Sequence, residues 1–353
     1  MFPKTAIILI NYKDYAKRFL SECRDSLRSQ SYPSTDFKVY IVDNASSSET
    51  LAYLKHEYPE AVILDRQDGN YSAANNLGLR QAFADGFEYG VVANMDTKFD
   101  EEWLSELVSA AWQSDEAGAI QSKVLLYPNN PAEAAQPKIN TLGNAYHFLG
   151  FGFTKGYNQE DYDIEGRPEI KGYASGCSLL IKKEAFEKIG GYDEEYYMYH
   201  DDVEVGLKLR LAGYKILLAP QSIVYHKYEF SRSVQMLYYM ERNRYLTILA
   251  FYPVWLILLL AFPLAIMELG MLAYSVKNHL IKTRFRIYGY FLNPFNWPSL
   301  ARRRRQVDRQ RFGEIARDFA SRIEFQEIDN PLLRYIVNPL MFVYWKLISR
   351  LFI

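Results

Sequence analysis

The alternation of short apolar runs with helical patterns over the first 130 residues constrains the fold of this chain most. Helical periodicity is found between and after the runs, for example at Ala73–Ala84 and Glu101–Trp112. Such alternation predicts an α/β fold, with an open, mostly parallel sheet flanked by helices. The runs typical of buried parallel strands are Thr5–Asn11, Lys38–Asp43, Ala61–Leu64 and Tyr89–Asn94.

The predicted strands end in polar residues. Asn11 closes the first strand, Asp43 closes the second, and the fourth ends at Asn94 with Asp96 two residues later. Because the carboxyl ends of parallel strands meet at one edge of a sheet, we expect Asp43 and Asp96 to face a common ligand. A helix-capping role for a single residue such as Asp43 is the alternative.

The stretch Gly69–Gly78 is rich in asparagine and small residues. The adjacent amides of Asn75 and Asn76 can bond to a base or a ribose, and small residues admit a ligand closely. The chain has no GxGxxG motif after the first strand and no GxxxxGK[ST] motif anywhere, which disfavours a dinucleotide dehydrogenase and a P-loop NTPase. A nucleotide bound here is therefore held by side chains.

Six carboxylates lie within the twelve residues Asp193–Glu204, interleaved with aromatic side chains. From Asp201 onward the pattern becomes helical, so Asp201 and Asp202 lie near a helix N-terminus. They either stabilise the helix dipole or place a carboxylate to take a proton from a substrate hydroxyl. His226 follows a strand-like segment, and a histidine in such a place is by itself more typical of a structural role.

The order of these motifs resembles that of family 2 glycosyltransferases with the GT-A fold, especially the bacterial rhamnosyltransferase-like and galactofuranosyltransferase-like members. The resemblance extends from Thr5 to Arg244, about two thirds of the chain. It implies a metal-dependent, inverting transfer of a sugar, with rhamnosyl transfer as one expected reaction. The implied donor is a dTDP- or UDP-sugar, and the implied acceptor is a lipid-linked or cell-surface glycan. A catalytically inactive, membrane-tethered relative is the alternative.

The resemblance also implies roles for single residues. Asp202, with Asp201 beside it, stands where the family has its catalytic base. Asp96, in a DxD-like motif without the first acid, and His226 match the ligands of a divalent cation, and oxygen donors suit Mg²⁺ or Mn²⁺. Contacts with the diphosphate or the acceptor are implied for Ser175, Gly176 and Arg242. Contacts with the donor nucleotide are implied for Asn11, Asp43, Asn75, Asn76, Gly78 and Asn94.

The C-terminal part differs in composition, so we expect a transferase domain over residues 1–240 and a helical, membrane-associated tail over residues 241–353. An apolar segment at 246–274, with Glu268 as its one charge, precedes a basic segment at 277–322 and a second apolar segment at 331–353. From Lys277 onward the chain has 15 Lys and Arg against 6 Asp and Glu. The Arg302–Arg305 run beside apolar residues suits anionic lipid headgroups better than nucleic acid, which we do not expect as a partner.

The tail predicts a monotopic or re-entrant attachment at the cytoplasmic face of the inner or plasma membrane. Pro253 and Pro263 divide the first apolar segment, and Pro339 breaks the second. A single crossing would also place the basic segment outside, against the positive-inside tendency. Lys346 and Arg350 share a face of the last segment, as in an interfacial helix. A hairpin that crosses twice and a buried core helix are the alternatives.

The N-terminus and the cysteine content bear on the compartment. The apolar run at residues 6–10 is too short for a signal peptide and ends at Asn11, so we expect none. The chain has two cysteines, Cys23 and Cys177, which cannot form a disulfide framework. A reducing compartment is therefore expected.

Overall fold

The computed structural model describes residues 3–229, 236–324 and 331–352. The chain forms two compact units, Met1–Asn144 with Thr154–Tyr228, and Ala145–Phe153 with Glu229–Ile353. The sequence pattern did not indicate that Ala145–Phe153 belongs with the C-terminal residues. The expected domain boundary at residue 240 remains a prediction.

The first unit alternates strands and helices, as the sequence predicted. Its helices are α1 (Tyr15–Arg28), α2 (Ser48–Glu57), α3 (Tyr71–Ala84), α4 (Trp103–Trp112), α5 (Pro131–Ala135), α6 (Lys183–Ile189) and α7 (Asp201–Leu211). Its strands are β1 (Thr5–Tyr12), β2 (Phe37–Asn44), β3 (Val62–Arg66), β4 (Tyr89–Ala93), β5 (Thr97–Phe99), β6 (Ala117–Leu126), β7 (Ile139–Thr141), β10 (Ser178–Lys182) and β11 (Lys215–His226). A two-stranded sheet of β8 (Asn144–Tyr146) and β9 (Gly152–Thr154) lies between β7 and β10 in the chain.

The described residues form a nine-stranded sheet in the order β3-β2-β1-β4-β10-β6-β11-β5, with β7 paired to β6. The strands β1 to β4 are parallel to one another, as predicted. Strand β10 runs antiparallel between β4 and β6, so the whole sheet is mixed rather than mostly parallel. The α/β fold is confirmed, and the antiparallel pairing of β5, β7 and β10 is the difference from the sequence prediction.

Both faces of the sheet are buried because its strands are apolar on both sides. Along β1, Ile7 and Leu9 pack into the apolar cluster that includes α1 and α4. The intervening Ala6 and Ile8 pack on the other face, in the cluster that includes α3. Side chains alternate between the faces of a strand, so a continuous apolar run is the pattern of a strand covered by helices on both sides.

Gly78 allows α3 to lie directly on the sheet. A Cβ atom at Gly78 would lie 2.4 Å from Ile8 Cγ2 and 3.3 Å from Val42 Cγ2. The residue is thus at the helix–sheet interface, and its observed neighbours are core side chains. The donor-nucleotide contact implied for Gly78 remains a prediction, while its packing role is visible.

The substitution Gly78→Ala should therefore lower the free energy of unfolding by about 1–3 kcal/mol, because an added methyl group overpacks the interface. This loss should outweigh the roughly 1 kcal/mol by which alanine favours a helix over glycine. Urea unfolding followed by circular dichroism would measure it. Gln81→Ala, on the exposed side of the same helix, is the control and should change stability by less than about 0.5 kcal/mol. Equal stability of Gly78→Ala and the unmodified protein would contradict the close-packing argument.

The second unit is helical. It contains an aromatic cluster in which the Phe148 and Trp345 rings stack at 4.8 Å and Phe319 lies 6.0 Å from Trp345. Its helices are α8 (Leu237–Phe251), α9 (Val254–Lys277), α10 (Ile281–Leu292), α11 (Trp297–Gln306), α12 (Phe312–Arg317) and α13 (Asn338–Ile348).

The prolines of this unit act differently from one another. Pro253 separates α8 from α9, as predicted, whereas Pro263 lies inside α9 without ending it. Pro339 lies in the first turn of α13, where a missing N–H is tolerated, directly after a π-helical stretch at Leu333–Val337. The expectation that Pro263 and Pro339 interrupt their helices is therefore wrong.

Candidate active site

The ends of β1 and β2 form a fully buried polar cluster. Asn11 donates through Nδ2 to Asp43 Oδ1 at 2.6 Å, and its Oδ1 accepts the backbone N–H of Ala16 at 2.8 Å. The second carboxylate oxygen of Asp43 accepts the Ser46 hydroxyl at 2.5 Å. Asn11 and Asp43 have no solvent exposure, so a base would reach Asp43 only if the half-buried Ser46 gave way. The ends of β1 and β2 thus meet, whereas the common ligand expected for Asp43 and Asp96 and the donor contacts of these residues remain predictions.

The adjacent amides of α3 have different surroundings. Asn76 donates to the carbonyl of Tyr192 and to Glu194 Oε1, both at 2.9 Å, and accepts the Tyr192 N–H at 2.9 Å. Asn75 has no solvent exposure, and its amide lies near the Tyr71 hydroxyl but makes no hydrogen bond of good geometry within the described residues. A buried amide in this state is rare and favours a polar group supplied by a ligand or by ordered water. The geometry thus favours Asn75 over Asn76 as a ligand contact.

The end of β4 and the turn before β10 both lie close to the Tyr71 hydroxyl. Tyr71 donates to Asn94 Oδ1 at 3.3 Å, and a Cβ atom at Gly176 would lie 3.9 Å from the same hydroxyl. The Asn94 N–H donates to the Cys177 carbonyl at 3.1 Å, where β4 meets β10. The fold therefore brings Asn94 beside Gly176 and its neighbour Ser175, as their predicted roles require.

Strands β5 and β11 bring Asp96 and His226 together, although 130 positions separate them in the sequence. Thr97 pairs with His226 in the antiparallel ladder, and Asp96 Oδ1 lies 3.4 Å from His226 Nε2. The two side chains are 5% and 11% exposed. His226 Nδ1 donates to Asn140 Oδ1 at 3.0 Å, and the Tyr15 hydroxyl donates to Asp96 Oδ2.

Asp96 and His226 fit a divalent cation. Neighbouring ligand atoms of an octahedral Mg²⁺ or Mn²⁺ site lie about 3 Å apart, close to the 3.4 Å between these two side chains. Burial lowers the pKa of His226, but the neighbouring Cys177 and Asp96 outweigh it and raise the pKa to about 10. The raised pKa means that this pair stabilises a positive charge, here that of the proton on His226. Within the described residues no cluster of three His, Cys, Asp or Glu side chains forms a metal site, so substrate or water would supply further ligands.

Asp201 and Asp202 begin α7, as the helical pattern predicted. Asp201 is buried and Asp202 half-buried, and Asp202 Oδ1 accepts the Val203 N–H at 2.8 Å. Burial raises the pKa of Asp201 to about 6. Burial, followed by the charge of Asp201, raises the pKa of Asp202 well above that of an ordinary aspartate. A carboxylate with a raised pKa is a stronger proton acceptor, as a general base must be.

Tyr71 and Cys177 connect the two acidic centres. Burial, followed by the charge of Asp201, raises the pKa of the Tyr71 hydroxyl, and Cys177 and Asp202 contribute as well. Cys177 also raises the pKa of His226. Tyr71 therefore lies near the carboxylate pair and Cys177 near the Asp96–His226 pair, and Asn94 contacts both of them.

Sequence reasoning assigned no role to Tyr15, Tyr71 or Asn140, although each contacts a predicted site residue. Their contacts span 81, 23 and 86 positions of the chain, and none of them belongs to a spacing motif. Only the place of Tyr71 within the asparagine-rich stretch could have drawn attention to it.

Arg242 belongs to the second unit. Its guanidinium lies over the rings of Tyr238, Tyr239 and Tyr290, at 5.1 to 5.6 Å from their centres, and it donates to Asn243 Oδ1. Its contact with the diphosphate or acceptor remains a prediction.

Comparison with known proteins supports the fold and the motif order. The O-antigen biosynthesis protein RfbC of Myxococcus xanthus is 31% identical over 260 residues, which are 72% of this chain and 19% of that protein. The N-acetylglucosaminyl-diphospho-decaprenol L-rhamnosyltransferase of Mycobacterium tuberculosis is 28% identical over 204 residues, 53% of this chain and 66% of that protein. The chain thus spans between about a fifth and two thirds of the curated relatives it matches.

The fold is also similar to that of a solved structure. A crystal structure of GalNAc-T7 with UDP, GalNAc and Mn²⁺ superposes with a TM-score of 0.52 and 15% identity, over 65% of this chain and 44% of that chain. The family model described as Glycosyl transferase family 2 matches residues 6–190, more than half of the sequence. This match confirms the resemblance found in the motifs. The chain belongs to glycosyl transferase family 2.

Proposed function

We propose that the chain is an inverting glycosyltransferase that moves a sugar from a dTDP- or UDP-sugar to a hydroxyl of a lipid-linked or cell-surface glycan. The observation that carries the proposal is the contact between Asp96 and His226, which Asn94 links through Cys177 and Tyr71 to the surroundings of the Asp201–Asp202 pair. The names of the relatives, an L-rhamnosyltransferase and an O-antigen biosynthesis protein, favour rhamnosyl transfer in polysaccharide biosynthesis.

In this mechanism Asp202 accepts the proton of the acceptor hydroxyl while the oxygen attacks the anomeric carbon of the donor sugar. The bond from that carbon to the diphosphate oxygen breaks, and the nucleoside diphosphate leaves with the electron pair. Attack from the face opposite the leaving group inverts the configuration. One protein base is sufficient for such a displacement, and Asp202 has the raised pKa and partial exposure that the role requires.

Asp96 and His226 are the proposed ligands of a Mg²⁺ or Mn²⁺ ion bound with the donor diphosphate. When bound, such an ion neutralises the charge that develops on the leaving diphosphate. Asn140 would fix the His226 ring through Nδ1, as outer partners of histidine ligands do. The Tyr15 hydroxyl donates to Asp96 Oδ2, and Asp96 Oδ1, which lies beside His226, would hold the ion.

The donor nucleoside is proposed to lie along the ends of β1, β2 and β4. Asn75 offers a buried amide that makes no hydrogen bond of good geometry in the described residues, and Asn94 lies beside the turn that carries Ser175 and Gly176. In this proposal the base would contact Asn75, and the diphosphate would lie near Asn94 and that turn. Binding of the nucleoside and the diphosphate would also hold the anomeric carbon in line with the acceptor oxygen.

A panel of nucleotide sugars, each incubated with Mg²⁺ or Mn²⁺ and a polyprenyl-diphosphate-sugar acceptor, tests the proposal. We expect release of one nucleoside diphosphate and formation of a product with inverted anomeric configuration, read by NMR. A catalytically inactive scaffold would bind nucleotide without turnover of any donor. A product with retained configuration would contradict the single-base mechanism.

The second unit is proposed to attach the protein to a membrane. Within the described residues, α9 is long and apolar enough to cross a bilayer by length and composition. The Tyr344 hydroxyl of α13 donates to the Leu259 carbonyl of α9 at 2.5 Å, so the two helices are neighbours. Together they expose apolar side chains, including Leu258, Phe262, Ile266, Leu269, Leu340, Val343 and Leu347. An exposed apolar face of this extent marks a contact with another molecule or with lipid.

Glu268 favours a monotopic attachment over a crossing. It lies past the middle of α9, with Oε1 3.4 Å from Arg284 Nη1, and accepts the hydroxyls of Tyr245 and Tyr288. Arg284 also pairs with Glu241 at 3.0 Å. A crossing α9 would carry this charged network into the hydrocarbon, which is costly, whereas a helix lying in the interface keeps it with the rest of the unit.

Cysteine labelling tests this topology. Ala301 is exposed beside the basic run, and both native cysteines are buried, so Ala301→Cys provides one reactive thiol. With the basic segment in the cytoplasm, we expect a membrane-impermeant maleimide to label this variant after lysis but not in intact cells. Labelling of intact cells to the same extent would contradict the monotopic, cytoplasmic attachment.

A further inference from the structure

The segment that leads into the acid pair, Tyr192–His200, is bound to the start of α3. The Asn76 side chain makes three hydrogen bonds to Tyr192 and Glu194, each at 2.9 Å. The Asn70 amide donates to the Glu194 carbonyl at 2.8 Å. Asn76 is only 1% exposed, so these bonds are shielded from water and are worth more than surface ones.

The first turn of α3 adds a second attachment. The backbone N–H groups of Tyr71 and Ser72 lie in the first turn, where no preceding turn of the helix offers a carbonyl. Both donate to the Tyr197 carbonyl, at 2.8 and 3.1 Å. The Tyr197 hydroxyl reaches back to the Asp68 carbonyl at 3.2 Å. Gly69, at φ +73°, makes room for it, since a Cβ atom there would lie 2.5 Å from the hydroxyl. The segment therefore supplies the acceptor that a helix N-terminus requires.

The same segment has an unfavourable backbone. The backbone angle φ is +66° at Tyr197, +60° at Tyr199 and +61° at His200. Residues other than glycine rarely adopt such values. Such residues persist only where the surroundings hold them in place. Because Asp201 follows His200 directly, the position of the acid pair depends on the contacts that hold this turn against α3.

We propose that Asn76 is a positioning residue that holds the segment Tyr192–His200, and through it Asp202, in place. This inference rests on the proposed function for the role of Asp202. The family resemblance implied a donor contact for Asn76, but both of its amide hydrogens are used within the protein. Asn75, its neighbour in sequence, serves instead as the donor contact.

The test compares Asn76→Ala and Asn75→Ala by hydrogen exchange, by titration with UDP and dTDP in the presence of Mg²⁺, and by turnover. In Asn76→Ala we expect amide exchange in the segment to accelerate about tenfold or more and kcat to fall about 10²-fold, with nucleotide affinity unchanged. In Asn75→Ala we expect weaker nucleotide binding and unchanged exchange. Gln81→Ala, exposed on the same helix, should change neither.

Glu194→Ala removes one partner of Asn76 from a half-exposed position, so it should fold even where Asn76→Ala does not, and should accelerate exchange to a smaller extent. Unchanged exchange in the segment, together with lost nucleotide binding in Asn76→Ala, would overturn the proposal and make Asn76 a donor ligand. A protein that turns over no sugar would contradict the proposed function, and the exchange arm would still decide whether Asn76 holds the segment.

Discussion

Replacing Asp202 by asparagine should lower kcat by about 10²–10⁴-fold and leave the affinity for the donor nucleotide unchanged. Asparagine keeps the size of the side chain and its acceptor for the Val203 N–H, but it cannot take up a proton at neutral pH. A lower kcat with unchanged nucleotide affinity would therefore show that proton transfer is lost while the shape of the site is kept. Single-turnover rates and nucleotide titration on the same preparation would measure both quantities.

The raised pKa of Asp202 adds a prediction about stability, which a helix-capping carboxylate with a lowered pKa would not meet. A group that holds its proton more tightly in the folded state costs stability as the pH rises above its unfolded pKa, because the unfolded chain then binds fewer protons. Asp202→Asn should thus be at least as stable as the parent protein at pH 8, with the difference shrinking towards pH 4.

Asp201→Asn is the matched control, since it removes the neighbouring carboxylate and leaves Asp202 in place. It should retain more activity than Asp202→Asn. The Asp201 charge contributes to the raised pKa of Asp202, so this pKa should be lower in Asp201→Asn. As the pH is decreased, the rate of the variant should therefore begin to fall at a lower pH than the rate of the parent. An inactive Asp201→Asn beside an active Asp202→Asn would reverse the assignment of the base.

The N-terminal strands could be predicted because their signal is local. The ranges predicted for β1 to β4 agree with the observed strands within two residues at each end, since a strand covered on both faces is a plain apolar run. The insertion of β10 between β4 and β6 could not be predicted, because it depends on pairing between distant segments. For the same reason no local pattern indicates that residues 145–153 join the helical unit.

The residues of the candidate site could be predicted as a set, but the contacts that each of them makes could not. Asn75, Asn76 and Gly78 belong to one motif and lie within a single turn of α3. Successive residues on a helix point about 100° apart. Asn76 therefore contacts the strained segment and Gly78 contacts the sheet, whereas Asn75 lies near the Tyr71 hydroxyl without a hydrogen bond of good geometry in the described residues. A linear motif does not contain the rotation of the helix against the sheet, which decides these roles.

Replacing Asp96 by alanine should abolish measurable transfer, with kcat lower by roughly 10³-fold or more, because a cation contributes several kcal/mol to such reactions and 1.4 kcal/mol is a factor of ten. The readout that does not depend on activity is Mn²⁺ binding with UDP, followed by electron paramagnetic resonance. Loss of a direct ligand should weaken this binding beyond the roughly 10- to 100-fold that loss of an outer partner costs.

Two further variants make the result for Asp96 specific. Asn140→Ala removes the partner of His226 Nδ1 without removing a ligand, so Mn²⁺ binding should weaken less than in Asp96→Ala. Asp65→Ala removes an exposed carboxylate from β3 and should leave Mn²⁺ binding unchanged, which excludes a general effect of net charge. Unaltered Mn²⁺ binding in Asp96→Ala, or full turnover in the presence of a chelator, would rule out the cation role. Since the pairing of β5 with β11 brings Asp96 to His226 whether or not a cation binds, either result would also separate the geometry of this pair from the function proposed for it.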